Sequence, residues 1–210
     1  MANSTLDIET EADLSALREA AATREWSALQ VVLARLLNPL PFFAALSAVI
    51  EGLIAALPLI ESSYEEGDPR RSVPRQLLSG MMSYGFAPDQ LPDGLVAEYE
   101  HPGAAQYVHA VLELCRAAQR DKGHDVRLAF LVSAAANGII AQMGKLFYNK
   151  NPDLFARVRD NHVDPDSGEY TDPDAAKIPI LLWMDEEVAA LDSALWSALA
   201  DRIEAAYKAL

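Results

Sequence analysis

Leu36 to Ile60 reads LLNPLPFFAALSAVIEGLIAALPLI, an apolar run whose one charged side chain is Glu51. At this length it approaches what a bilayer crossing needs. Pro39, Pro41 and Pro58 interrupt it, however, and Glu51 lies inside it. The better expectation is a helix from about Pro41 to Leu57, buried on nearly all faces and running through the middle of a helical domain.

Working towards the N-terminus, Leu14, Leu17, Ala21, Ala22, Trp26, Leu29, Leu33 and Leu36 recur at helical spacing and predict a single amphipathic helix. Asn38-Pro39 ends it, because the residue before proline avoids helical dihedrals. The preceding residues 1–9 are polar and read as a flexible tail. Working towards the C-terminus, Ser72 and Pro74 open a helix carrying Leu77, Leu78, Met81 and Met82. Residues 87–103 are punctuated by proline and glycine and read as irregular.

Two further helices are predicted, from about Ala104 to Gln119 and from about Asp125 to Tyr148, separated by Gly123. The second contains Ser133 to Gly138, SAAANG, small side chains that admit a neighbouring helix closely. A short turn of helix follows Asn151-Pro152. Asp164-Pro165-Asp166-Ser167-Gly168 predicts a tight reversal, with a short hairpin near 163–172. A segment with Ile180, Leu181, Leu182 and Trp183, then a strongly periodic helix from about Asp185 to Ala209, complete the chain. The expectation is an all-α, single-domain bundle of six to seven helices spanning residues 1–210.

The 210 residues, 51% of them hydrophobic, suffice for a core without metal or disulfide staples. Cys115 is the one cysteine, which suits a reducing compartment. MANSTLDIETEADL has no basic start and apolar core, so it does not read as a secretion signal, and a cytoplasmic location is expected. A net charge of −14 opposes nucleic-acid binding, which needs clustered Lys and Arg. The same charge steers towards a basic protein partner, or simply maintains solubility.

Few residues carry chemistry. Glu51 in an apolar helix is either a carboxylate tuned for acid–base work, or one that faces a partly wet groove or pairs with an arginine such as Arg35 or Arg75. His109 and Glu113 share the i,i+4 spacing of a helical metal pair, but Arg116 and Arg120 continue that stripe, so a solvated charged face is expected. A calcium-loop frame started at Asp164 fails, with Glu169 at the glycine position and Ala175 at the bidentate glutamate position. Glu61 with Glu65, opposite Glu187, is a loose match to paired magnesium carboxylates. Cys115 lies on an apolar face and reads as a buried hydrophobe. Arg70, Arg71 and Arg75 form the one basic cluster, placed to clamp an anion or a partner's carboxylates.

No catalytic motif, metal site or cofactor is implied. The leading expectation is therefore a non-enzymatic helical protein acting through another protein, in an adaptor, regulatory or immunity-like role. The alternative is a small-molecule site between helices, with Glu51 on one wall and Asn137 in the SAAANG stretch on the other. Reversible membrane association through residues 40–60 is a third reading, stable insertion not being expected. The small-residue face suits a homodimer.

Overall fold

A computed structural model describes residues 6–84, 95–99, 101–158 and 177–210. Among these residues the chain forms nine α-helices, a short 3₁₀ turn at Leu95–Glu98, and no strand. The all-α expectation holds. The hairpin expected at 163–172 lies outside the described residues, as does most of the irregular stretch at 87–103.

The single long helix expected at the N-terminus is two: α1 (Ile8–Thr23) and α2 (Trp26–Leu37). The break is at Arg24, which takes left-handed dihedrals of φ 56° and ψ 38°. Its N–H bonds to the Ala21 carbonyl and that of Glu25 to the Ala20 carbonyl, the paired bonds of a Schellman stop. Glycine normally takes this place, so Arg24 carried no stop signal in the sequence. Ile8 and Glu9, placed in the expected 1–9 tail, belong to helix α1. Helix α1 starts at Ile8, and the Asp7 carboxylate caps it by accepting from the Thr10 N–H at 2.7 Å.

Helix α3 (Phe42–Glu61) is the apolar run, with Pro58 accommodated in its last turns. It is not buried on nearly all faces. Phe43, Glu51, Ile54 and Pro58 form an exposed stripe at helical spacing, and the opposite side, including Leu46, Val49, Ile50, Leu53 and Leu57, enters the core. Helix α4 (Pro69–Tyr84) lies alongside it.

The scaffold is completed by α5 (Ala104–Ala118) and α6 (His124–Lys150), which pair as a tight helical hairpin, and by α9 (Glu186–Lys208). Short helices α7 (Pro152–Val158) and α8 (Ile178–Met184) flank α6. The 27-residue α6 is the hub, touching α2, α3, α5, α7, α8 and α9.

Two glycines set how closely elements approach it. A Cβ on Gly138 would sit 2.3 Å from Leu53 Cδ2, so this glycine lets α3 lie against α6. Gly103 has φ 84°, and a Cβ there would fall 2.3 Å from the Ala141 carbonyl oxygen, so it lets α5 begin on the backbone of α6. Helices α3 and α6 are both long and apolar enough to cross a membrane, but 50% and 44% of their most apolar windows are buried inside the bundle. Their mutual packing accounts for much of that apolar character.

Candidate functional site

The outer face of α6 and the side of α2 enclose an open groove of about 600 Å³. Leu128, Val132 and Ile140 supply its apolar wall, and Ala34, Ala129 and Ala136 keep it wide. Ser133 and Asn137 also line it and join a polar network with α5. Ser133 Oγ donates to Glu113 Oε1 at 2.8 Å, and Asn137 Nδ2 donates to Glu113 Oε2 at 3.0 Å. His109 Nε2 lies 3.4 Å from Glu113 Oε1. Glu113 is therefore buried, 7% exposed, not part of the solvated face expected from its spacing. Packing of the α6 amide and hydroxyl over it makes the difference, and i,i+4 spacing along α5 says nothing of α6.

The network is structural in form. Ser133 donates to a carboxylate, not to His109, so it lacks the nucleophile–base pairing of covalent catalysis. The groove lining contains Asp125 and no Lys or Arg. Asp125 is thus the one charge on the lining of an apolar trough.

The predicted site residues are not brought together. Glu51 is exposed on α3, away from the α2/α6 groove that holds Asn137. Neither expected partner reaches it: Arg35 pairs with Asp13 at 2.6 Å and Arg75 with Glu61 at 2.7 Å. Arg70 is held by Asp68 at 2.6 Å and lies 4.7 Å from the Tyr64 ring centre. Of the expected anion clamp, only Arg71 has no ion pair among the described residues. Acidic neighbours on α3 and in the turn before α4 neutralise the other two.

No group of three or more His, Cys, Asp or Glu suited to a metal occurs among the described residues. Glu61 is engaged by Arg75, and Glu187 lies 3.4 Å from Lys150. Cys115 is fully buried, and burial pushes its thiol up to about 12, which leaves it unreactive at neutral pH.

Two charged centres went unnoticed in the sequence. Asp192 is fully buried on α9, and its Oδ2 accepts from Arg24 Nε at 2.9 Å and Trp26 Nε1 at 3.1 Å. Arg24 lies 3.9 Å from the Trp183 ring centre and donates to the Trp183 carbonyl, while Trp26 stands edge-on to Trp196 at 5.4 Å. All three tryptophans of the chain meet at this pair. Lys145 is 5% exposed, its ammonium 5.2 Å from the Tyr148 ring centre, and burial holds its pKa below the usual lysine range. Nothing in local spacing marks either residue, because their partners come from distant helices.

Comparison with known proteins adds nothing to this geometry: no protein-family model, curated protein or solved structure matches the chain.

Proposed function

We propose that this chain is a non-enzymatic cytoplasmic binding module, and that the α2/α6 groove takes an amphipathic helix from a basic partner protein. The observation that carries the reading is an open apolar trough whose one charged lining residue is Asp125 and whose lining holds no cation. Helices dock into such grooves through apolar anchors one turn apart. Leu128, Val132 and Ile140 on α6 offer the complementary ridge, and the alanines permit close approach. Asp125 and the net charge of −14 favour a partner helix bearing Lys or Arg beside its anchors.

The test starts with a photo-crosslinking amino acid at Ala129, in the groove, and at exposed Glu186 as control, in the native cell. A partner captured only from position 129 is then purified and titrated against the wild-type chain and Val132→Glu. The reading requires at least a thirtyfold loss of affinity in the variant, with unchanged helicity. Equal capture at both positions, or unaltered affinity, overturns it. A dimer of the 22.9 kDa chain that Val132→Glu dissociates would assign the groove to a second copy instead.

A further inference from the structure

Helices α3, α6 and α9 enclose a smaller cavity, with about 50 Å³ open to a water-sized molecule. Val49, Leu53, Ile139, Leu195 and Leu199 make its walls. Gly52 and Gly138 supply the space. A Cβ on Gly52 would meet Arg202 Nη1 at 3.7 Å and no other neighbour within 4 Å. The two polar side chains of the lining are Gln142 and Arg202. Gln142 donates from Nε2 to the Gly138 carbonyl at 3.1 Å, which uses one of its two amide N–H donors. Arg202 is different. It has no hydrogen-bond or ion-pair partner among the described residues. Its acidic neighbours on α9 are taken by others: Asp201 by Arg18 at 2.7 Å, and Glu204 by Arg18 and Lys208.

An apolar cavity with one uncommitted guanidinium at its rim is the arrangement that holds an aliphatic acid. The chain fills the cavity, and the carboxylate accepts two parallel N–H bonds from the planar fork. We propose that the α3/α6/α9 cavity is a binding site for a short aliphatic monocarboxylate, of roughly three to five carbons by the space one water position needs. A single arginine matches one negative charge. A phosphate dianion would find no second cation in the lining and faces a chain of net charge −14. The site is independent of the α2/α6 groove. It also places a ligand pocket against α3 and the SAAANG stretch of α6, with neither Glu51 nor Asn137 in its lining.

The experiment titrates the full chain, labelled at Leu, Val and Ile methyls, with acetate, butyrate, pentanoate and octanoate, and with butanol and inorganic phosphate as controls. Butyrate should shift the Leu53, Ile139 and Leu199 methyls saturably. Affinity should rise about fourfold per added methylene until the cavity is full, then level off. Butanol and phosphate should bind at least tenfold more weakly. Arg202→Gln should remove the preference for acid over alcohol, and Ala55→Phe, at an exposed lining position, should block entry without disturbing the core. The proposal is overturned if no saturable shift appears with butyrate raised to roughly 50 mM, well above a Kd of about 1 mM. It is equally overturned if butanol binds as well as butyrate, or if Arg202→Gln binds butyrate unchanged.

Discussion

Replacing Arg24 by methionine strips a fully buried carboxylate of its cation. Asp192 is 0% exposed, and its ion pair with Arg24 spans 2.9 Å. Removing one partner of a buried pair costs about 3–5 kcal/mol, because the remaining charge keeps its desolvation penalty without its compensation. With Arg24 gone, Trp26 Nε1 is the one side-chain donor left on Asp192 Oδ2, and Oδ1 already lies buried without a hydrogen-bond partner. Methionine keeps the Cβ of arginine, so the cost of the left-handed dihedrals, about 1–2 kcal/mol, stays. Arg24→Gly relieves that cost while stranding the same carboxylate, and should lose correspondingly less. For a chain of this size the methionine variant should melt roughly 6–20 °C lower.

The assay is urea unfolding followed by tryptophan fluorescence, for which the centre is well suited because all three tryptophans surround it. The double variant Arg24→Met/Asp192→Leu removes both charges and should recover to within about 2 kcal/mol of wild type, as apolar replacement of buried pairs does. A loss below about 1 kcal/mol in the single variant would refute the reasoning. So would strictly additive losses in the double variant.

Other outcomes follow from packing and charge. Gly138→Ala should lose about 1–3 kcal/mol by overpacking against Leu53, and Leu53→Ala in the same chain should reverse part of that loss; a stabilised single variant would contradict the close approach of α3. Gly103→Ala adds a Cβ at positive φ against the Ala141 carbonyl, and should fail to fold or melt well below Gly138→Ala, as differential scanning calorimetry would record. Lys150 and the α9 amides hold Asp185 below the usual carboxylate range, and Lys208 and Arg18 do the same for Glu204. In the unfolded chain these groups bind protons near pH 4, before the folded ones do, so stability present above that value drains away as pH falls through the folded values. The melting temperature should hold from pH 7 to about 5 and fall below about 4; a flat profile down to pH 2 would deny those pairs any role. Cys115 should ignore a thiol reagent in the native state at pH 8 and react fully in denaturant.

The apolar residues of α3 and of α9 were legible as helices because their periodicity is a local property of the chain. Which side of α3 faced inwards was not. Residues 42–61 are so rich in Ala, Leu and Ile that the spacing barely distinguishes a buried face from an exposed one, and it leaves the side of Glu51 open. The break at Arg24 was hidden because the left-handed stop is held from outside, by Asp192 some 168 residues away, and not by a local glycine. The arginine cluster shows the converse. Its positions are adjacent in sequence, yet Glu61 and Asp68 claim Arg75 and Arg70 once α3 and α4 pack.

Local composition alone therefore determined that this chain is helical, acidic, free of internal disulfides and built around an apolar α3, since each follows from residue type and short-range spacing. Tertiary structure alone decided that Glu113 is buried, that Glu51 is exposed, and that Arg202, unpaired among the described residues, stands beside a cavity between three helices. Burial and pairing are set by which distant helices meet, and that depends on shape complementarity at positions such as Gly138 and Gly103, where the decisive feature is an absent side chain.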